Sequence, residues 1–272
     1  MFILILNIHH MFVKWPGGKS KLYLNNPQIF PSSYKKYLEP FLGGGSIFFH
    51  LSPDEAILGD VNERLINLFQ SMKNDYKKIF YEVEKLISTH SSDQYYEIRK
   101  IFNSSSSKPE HFLYLNRTCF NGVYRENIKG EFNVPVGKRS SSFFPFTIED
   151  FKNYSQILSN ATLKNQTFEE TLKEAKKGDF IFIDPPYLKN ENNYESFRKY
   201  GKDVFSLEDL HKLAEILRSL STDCKILISN FDLENVKSLF PDWNKTSITQ
   251  MSYISGSGKG RKPMEEVLIC NY

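Results

Sequence analysis

The feature that most constrains the fold is the apolar run Phe-Ile-Phe-Ile at residues 180–183, which is followed directly by Asp-Pro-Pro-Tyr at residues 184–187. An uninterrupted run of β-branched and aromatic residues is typical of a strand that is buried on both faces, as in the parallel sheets of α/β proteins. Ligands of such open sheets bind just beyond the carboxyl ends of the strands. The sequence therefore predicts an α/β fold with a ligand site at Asp184.

The chemistry of residues 184–187 suits the exocyclic amino group of a planar base. The Asp184 carboxylate and the Pro185 carbonyl are both acceptors, and neither proline has an N–H group. Two acceptors aimed at the N–H bonds of an amine stabilise the positive charge that develops when the amine attacks an electrophile. The ring of Tyr187 can stack on the base. The alternative is an ordinary strand-to-loop turn, since Asp-Pro and Pro-Pro are common in loops.

A glycine-rich segment, Glu-Pro-Phe-Leu-Gly-Gly-Gly-Ser at residues 39–46, indicates where a ligand approaches the backbone. The pattern predicts a short strand that ends near Glu39, a tight loop at residues 43–45 and a helix with Ser46 as its N-cap. Glycine places no side chain between backbone and ligand, and a helix N-terminus adds partial positive charge.

The spacing of residues excludes two common phosphate-binding loops. Phe48 stands where the dinucleotide fingerprint needs its third glycine, and Val13 stands where a P-loop ending at residues 18–20 needs its first. A nucleoside ligand with little need for phosphate, such as S-adenosylmethionine, remains. Asp60, at the end of the next strand, stands where nucleoside-binding sheets hold ribose hydroxyls. Its alternative role is a turn or cap before a helix over residues 64–72. A further amphipathic helix is predicted over residues 206–220, with Ser206 before Glu208-Asp209 at its start and with Leu207, Leu210, Leu213 and Leu217 on one face.

Composition limits which partners, disulfides and metal sites can be predicted. The 272 residues carry a net charge of +3, which is too small to indicate a nucleic-acid partner by itself. Cys119, Cys224 and Cys270 are far apart, and neither they nor the six histidines have metal-ligand spacing, so we predict no disulfide frame and no metal site. Residues 1–8 are nearly all apolar but too short to span a bilayer, and we interpret residues 1–10 as a start-site extension before Met11 or as a loose tail.

The motifs also have an informative order. Along the chain come Lys14-Trp-Pro-Gly-Gly-Lys19, then Glu39-Pro-Phe-Leu-Gly-Gly-Gly-Ser46, then Gly59-Asp-Val-Asn62, then a long insert with Leu115-Asn-Arg117 and Phe120-Asn-Gly122, and finally Asp184-Pro-Pro-Tyr187. This arrangement resembles the Dam-type DNA adenine-N6 methyltransferases (D12 class, alpha group), whose recognition domain lies between the cofactor and catalytic motifs. The resemblance covers nearly everything from Met11 onward.

The resemblance implies a Rossmann-like S-adenosylmethionine-dependent methyltransferase sheet with a mostly helical target-recognition insert. The expected domains are a catalytic domain formed by residues 11–60 and 151–272, a DNA-recognition insert at residues 61–150, and the extension at residues 1–10. The expected activity is transfer of a methyl group from S-adenosylmethionine to N6 of adenine in double-stranded DNA, within GATC. The target base must leave the helix stack to be reached.

The resemblance also implies roles for individual residues. Expected cofactor contacts are Trp15, Lys19, Gly43, Gly45, Asp60, Phe168 and Asp184, and the expected catalytic residues are Asp184, Pro185 and Tyr187. Expected DNA contacts are Lys14, Phe120, Asn121, Val123 and Arg125 at bases, with Lys138 and Arg139 at phosphates. The segment from Arg117 to Arg125 resembles the base-reading hairpin of the family. Phe120 and Val123 have an alternative role as core residues of a small helical subdomain. Phe120 replaces a tyrosine of better-known members, which affects the expectation about the target sequence and leaves the chemistry untouched.

Two other functions remain open from the sequence. The substrate could instead be a purine in structured RNA, or the chain could be a DNA-binding relative without catalysis. The expected partner is double-stranded DNA. Two roles stay open: protection of the DNA from a restriction endonuclease that acts on the same site, with no stable complex implied, or marking of the DNA for repair and replication. We expect a monomer, without a membrane segment, in the cytoplasm of a prokaryotic or phage-infected cell, with no metal cofactor.

Overall fold

The computed structural model describes residues 11–138, 144–187, 205–251 and 263–272. The chain packs as two compact units. The first, here called the helical unit, comprises residues 1–25, 43–53 and 62–163, and the second, the sheet unit, comprises residues 26–42, 54–61 and 164–272. These packing units divide the chain at other positions than the functional domains expected from the sequence, whose bounds stay a prediction.

One seven-stranded sheet forms the main architecture. Three neighbouring pairs, β1–β2, β1–β4 and β4–β5, are parallel, whereas β5–β7 and β6–β7 are antiparallel. The order across the sheet is β3-β2-β1-β4-β5-β7-β6. The predicted α/β fold is confirmed. The strands are β1 (Tyr37–Glu39), β2 (Ala56–Asp60), β3 (Ala161–Asn165), β4 (Phe180–Ile183), β5 (Lys225–Phe231), β6 (Asn244–Met251) and β7 (Pro263–Cys270).

The strand predicted from residues 180–183 is β4, and all four of its side chains are buried. It lies between β1 and β5, with Phe180 opposite Tyr37 on one side and Lys225 on the other. A central parallel strand is covered on both faces, which explains why no polar residue interrupts the run. The same position places Asp184 at the carboxyl end of the sheet's middle strand.

Nine α-helices occur within the described residues. They are α1 (Ser20–Asn25), α2 (Ser46–Leu51), α3 (Glu63–Ser88), α4 (Ser92–Phe102), α5 (Pro109–Thr118), α6 (Ile148–Ser159), α7 (Phe168–Leu172), α8 (Leu207–Leu220) and α9 (Glu234–Lys237). The first six belong to the helical unit and the last three to the sheet unit. No helix among the described residues is both long enough and apolar enough to cross a membrane.

Two predicted helices begin at side-chain caps. The Asn62 side chain accepts a hydrogen bond from the Leu65 amide at the start of α3, and Ser206 with Asp209 forms a capping box at the start of α8. The apolar face predicted for α8 is buried except for Leu207, which stands in the first turn and is 37% exposed. Backbone angles at Asp75 (φ −150°, ψ 71°) interrupt α3 and produce a kink.

The predicted N-cap at Ser46 is wrong. The residue before α2 is Gly45, whose φ of 67° lies in the left-handed region, and Ser46 is already the first helical residue. The Ser46 hydroxyl instead accepts a hydrogen bond from the Lys19 amide, with an N–O distance of 2.9 Å. The hydroxyl therefore joins two segments that are 27 residues apart and is not the N-cap acceptor for the first amides of α2.

Candidate functional site

Within the sheet unit, residues 184–187 follow β4 as an irregular segment. Asp184 is half-buried, Pro185 is buried and Pro186 is exposed. The carboxylate thus stands at the carboxyl end of a central strand, where open α/β sheets bind ligands. This is the placement that the sequence predicted for Asp184, and its role at that position stays a prediction.

Tyr187 is fixed by two contacts to β5. Its hydroxyl lies 2.9 Å from Ser229 Oγ, and its ring meets the Phe231 ring edge-on, with the centroids 4.6 Å apart. Burial raises the pKa of the Tyr187 phenol well above its usual range, and the charges of Asp184 and Glu266 raise it further. The phenol is therefore neutral at physiological pH, and the plane of its ring is set by the protein.

Asp60 ends β2 and is held by its main chain. Its carbonyl accepts hydrogen bonds from the Asn165 side chain at 3.0 Å and from the Gln166 amide at 3.3 Å. Asn165 is the last residue of β3 and Gln166 follows it, so the end of β2 is tied to the end of the neighbouring strand. The preceding Gly59 cannot carry a side chain without a shift, since a Cβ atom there would lie 2.2 Å from Thr171 Oγ1.

Phe168 belongs to an aromatic cluster in the same unit. Its ring stacks on Phe41 with a centroid distance of 5.5 Å and meets Phe205 edge-on at 6.1 Å. Phe41 is half-buried and comes two residues after β1. Sequence reasoning quoted Phe41 within its glycine-rich motif without giving it a role. An acidic residue at a strand end and an apolar, aromatic surface fit the ribose and the adenine of a nucleoside, respectively.

Within the helical unit, the glycine loop packs against Trp15. Gly43 has a φ of 49°, and a Cβ atom on it would lie 2.7 Å from Trp15 Cδ1. Glycine is therefore required at position 43 for both its backbone conformation and its contact with the indole. The contact that the structure shows at Gly43 is with Trp15. The close approach of a ligand to Gly43, which the sequence predicted, stays a prediction.

The indole of Trp15 stacks in turn on Tyr124, with a centroid distance of 5.2 Å and an angle of 22° between the planes. Tyr124 also stacks on Phe112 with a centroid distance of 5.1 Å, and its ring makes a tilted contact with Phe132 at 5.6 Å. Lys19, the second expected cofactor contact of this segment, is 2% exposed. Tyr124 was missed by sequence reasoning, although it lies between two expected DNA contacts.

Lys14 is clamped by a buried asparagine. The Asn116 side chain accepts from the Lys14 amide and donates to the Lys14 carbonyl, both at 2.8 Å. The alkyl chain of Lys14 lies against Gly122, where a Cβ atom would be 2.2 Å from Lys14 Cδ. Burial lowers the pKa of the Lys14 ammonium, and the nearby Arg117 guanidinium lowers it further. The signal for Asn116 was present in the Leu-Asn-Arg motif at residues 115–117.

The expected base contacts other than Lys14 lie in or just after a short turn at residues 120–122. Phe120, Asn121 and Arg125 are exposed, and Val123 is half-buried. Phe120 is 39% exposed, so its alternative role as a core residue is wrong. The exposed surface also includes Lys138, whereas Arg139 lies outside the described residues.

Comparison with known proteins identifies the family. A family model described as D12 class N6 adenine-specific DNA methyltransferase matches residues 15–254. The chain belongs to this family. It is 33% identical over 264 residues to a DNA adenine methylase of Serratia marcescens, with 94% of this chain and 96% of that relative covered.

Other relatives of this D12-class enzyme bear different names. The chain is 32% identical to the type II methyltransferase M.MjaIII of Methanocaldococcus jannaschii, with 96% of this chain and 98% of the relative covered. It is 30% identical to the type II methyltransferase M1.LlaDCHI of Lactococcus lactis subsp. cremoris, with 96% and 95% covered. The protein is thus an enzyme, an adenine-specific DNA methyltransferase with the predicted Rossmann-like sheet, and membership implies S-adenosylmethionine as methyl donor.

Proposed function

We propose that this D12-class enzyme methylates N6 of adenine within GATC in double-stranded DNA, by flipping the base out of the stack and by direct in-line transfer. The observation that carries the proposal is the half-buried Asp184 at the end of the central strand β4, three residues before the fixed Tyr187. Flipping a base costs roughly a few kcal/mol, which DNA contacts must offset.

The residues of the sheet unit fit the nucleoside part of S-adenosylmethionine. Asp60 is proposed to hold the ribose hydroxyls, and Phe168, stacked on Phe41, is proposed to pack near the adenine of the cofactor. In the helical unit, Trp15, Lys19, Gly43 and Gly45 are proposed cofactor contacts, with the two glycines at the methionine part. S-adenosylmethionine supplies an electrophilic methyl group on a sulfonium sulfur.

Asp184, Pro185 and Tyr187 are the proposed catalytic residues. The Asp184 carboxylate and the Pro185 carbonyl accept hydrogen bonds from the amino group of the target adenine, which localises its lone pair and stabilises the positive charge that develops on N6. The neutral ring of Tyr187 stacks on the base and holds its plane. Positioning and electrostatics, rather than a covalent intermediate on the enzyme, supply the rate.

The DNA-reading roles are proposed for residues of the helical unit. Arg125 donates from Nε to the Asn133 side-chain oxygen at 2.7 Å, which fixes the plane of its guanidinium. A fixed guanidinium plane suits a bidentate contact to O6 and N7 of guanine. The exposed Phe120 ring is proposed to wedge into the base stack. The other proposed contacts are Lys14, Asn121 and Val123 at bases, with Lys138 and Arg139 at phosphates.

The names of the relatives bear on the biological role. Two relatives are called type II methyltransferases. We propose that this enzyme is a monomer and that it protects DNA from a restriction endonuclease of the same site, without a stable complex between the two proteins. Methylated and unmethylated plasmid can be digested with an endonuclease that N6-methyladenine blocks at GATC. Digestion of plasmid from cells that express the enzyme would contradict protection at this sequence.

The first test is methylation of a duplex panel with labelled S-adenosylmethionine. The panel contains GATC, the same site already methylated at N6, sites with one base changed, and a structured RNA. Incorporation on GATC alone is expected. Incorporation on another DNA site would keep the chemistry and overturn the sequence, whereas incorporation on RNA alone would overturn the substrate.

Two substitutions test the residue roles. Asp184→Ala should abolish methylation while DNA binding stays, and retained turnover would overturn the catalytic assignment. Arg125→Ala should reduce discrimination against sites with a changed guanine by about 1–3 kcal/mol. Lys78→Ala, at an exposed position on α3, is the matched control and should leave discrimination unchanged.

A further inference from the structure

The proposed cofactor contact Trp15 is held on several sides within the helical unit. The Asn116 side chain binds both main-chain groups of the preceding residue, Lys14, and the Trp15 carbonyl accepts from the Gly18 amide at 3.2 Å. The Cδ1–Nε1 edge of the indole lies against the backbone of Gly43. A contact along one edge leaves the tilt of a ring open, so the plane of the indole must be set by a contact on its face.

The contact on the face of the indole is made by Tyr124. The two rings are stacked, with 5.2 Å between their centroids and 22° between their planes. Among the residues that the structure describes, Tyr124 is the only one whose ring meets the indole. Trp15 is half-buried, so the indole keeps surface that a ligand can contact.

Tyr124 is itself fixed by its surroundings. Its ring stacks on Phe112 with 15° between the planes and also meets Phe132, and these two rings are 1% and 2% exposed. Its hydroxyl donates to the Glu126 carboxylate and has a further side-chain hydrogen bond with Asn62. Because the ring is held by two core rings and at its hydroxyl, it is a rigid support for the indole.

Tyr124 belongs to the segment that carries the expected DNA contacts. It lies between Val123 and Arg125, within the insert over residues 61–150 that the sequence predicts for DNA recognition. Arg125 is exposed and donates to the Asn133 side chain, whereas Tyr124 is half-buried and stacks on Trp15. The insert therefore supports a residue of the proposed cofactor site in addition to the surface that is expected to read DNA.

We propose that Tyr124 is a positioning residue of the cofactor site: its ring sets the plane of the Trp15 indole for contact with S-adenosylmethionine, so that the recognition insert contributes to cofactor binding before DNA is present. This inference rests on the proposed role of Trp15 as a cofactor contact. An indole whose plane is already set loses less side-chain freedom when the cofactor binds, and the cofactor therefore binds more tightly.

Substitution of Tyr124 tests the inference through the dissociation constant of S-adenosylmethionine, measured by isothermal titration calorimetry without DNA. Tyr124→Leu removes the stacked ring and should raise this constant about three- to tenfold, the factor that corresponds to the loss of one aromatic pair. Tyr124→Phe keeps the ring and removes only the hydroxyl, so its dissociation constant should match that of the unchanged protein. An equal rise in Tyr124→Phe and Tyr124→Leu would overturn the role of the ring.

A second variant and a control keep the test decisive. Tyr124→Met refills much of the apolar volume, but its flexible side chain does not hold the plane of the indole. Circular dichroism and thermal unfolding identify which variants are folded, and an unchanged dissociation constant in a folded Tyr124→Leu or Tyr124→Met would overturn the inference. Tyr96→Leu, which removes a 40% exposed ring elsewhere in the helical unit, is the matched control and should leave the constant unchanged.

A Trp15→Ala background distinguishes positioning from a general loss of stability. In this background Tyr124→Leu should raise the dissociation constant no further, because the indole that it would position is absent. If Tyr124 contacted the cofactor itself or only stabilised the fold, the two losses would multiply. Multiplied losses would overturn the inference.

The failure of this inference can be told apart from the failure of the proposed function. An unchanged dissociation constant in Trp15→Ala would remove the cofactor role of Trp15, and the inference with it. A raised constant in Trp15→Ala together with multiplied losses in the double variant would overturn the positioning role of Tyr124 alone. Raised constants in both single variants, with no further loss in the double variant, support both.

Discussion

Glycine is required at position 43, in the loop after β1, by a left-handed backbone and by the contact with the Trp15 indole, and the variant Gly43→Ala tests both requirements. Gly43 has a φ of 49°, and left-handed backbone costs a non-glycine residue about 1–2 kcal/mol. The new Cβ atom would also lie 2.7 Å from Trp15 Cδ1 and 2.9 Å from Nε1, so that the indole must move by several tenths of an ångström. That shift disturbs the stack of Trp15 on Tyr124, and aromatic pairs contribute about 0.5–1.5 kcal/mol. We expect Gly43→Ala to lower the free energy of unfolding by about 2–3 kcal/mol.

Gly130→Ala is the matched control. Gly130 has a φ of 75°, but no atom lies within 4 Å of the position that its Cβ would take. This variant should therefore lose only the backbone contribution of about 1–2 kcal/mol. The difference between the two variants isolates the displacement of Trp15.

Urea unfolding measures the free energies, and tryptophan emission reports the indole. The chain has two tryptophans, so a Trp243→Phe background leaves emission from Trp15 alone. Native emission should change in Gly43→Ala and stay constant in Gly130→Ala. Equal losses of stability with unchanged emission would refute the reasoning, because the indole would then not oppose a Cβ atom at position 43.

Two further predictions concern the helical unit and the thiols. Gly122 has a φ of 65°, and its Cβ position lies 2.2 Å from Lys14 Cδ, so Gly122→Ala should displace Lys14 and reduce discrimination between DNA sites about tenfold relative to Gly130→Ala. Methylation of GATC and of sites with one base changed measures this discrimination. Equal discrimination in both variants would exclude a reading role for Lys14. Burial raises the pKa of the Cys119 thiol to about 12 and also raises the pKa of Cys224 and Cys270, so little thiolate is present at pH 8. A thiol-reactive chromophore should therefore label the native protein slowly and the urea-unfolded protein fast, and rapid labelling of the native protein would contradict this burial.

The sequence was sufficient for the parts of the fold that depend on local pattern. Four apolar residues in a row predicted β4 because a central parallel strand is buried on both faces. Ser206 followed by Asp209 predicted the start of α8 because a capping box needs only four consecutive residues. The order of the strands, with β4 between β1 and β5, depends on pairing between distant segments and cannot be read from such patterns.

The site residues were predictable in identity but not in their contacts. The carboxylate at the end of β4 was found because its chemistry follows from residue type and strand position. The Ser46 hydroxyl was assigned to its own helix, although it binds the amide of Lys19, because a cap pattern considers only neighbours in sequence. For the same reason the Asn116 clamp on Lys14, which joins residues 102 positions apart, escaped sequence reasoning.

Arg117 shows how residue type alone can mislead, and it yields a last prediction. The sequence places it with Arg125 in one segment that resembles a base-reading hairpin, yet Arg117 is 6% exposed, lies 5.0 Å above the Phe146 ring and donates to the Met11 carbonyl at 3.4 Å. Burial lowers the pKa of its guanidinium to about 10, which keeps it charged at neutral pH. Arg117→Ala should therefore lower the free energy of unfolding by about 2 kcal/mol or more, through lost packing and an unpaired carbonyl.

The exposed Arg125 provides the opposite case. Arg125→Ala should change the free energy of unfolding by less than about 0.5 kcal/mol, as expected for a surface substitution, and should alter site preference instead. Urea unfolding and the duplex panel, applied to both variants, measure the two effects separately. If Arg117→Ala kept its stability but lost site preference, the buried guanidinium would have to reach DNA. The assignment of a structural role to Arg117 and a DNA-reading role to Arg125, which follows from their burial, would then be wrong.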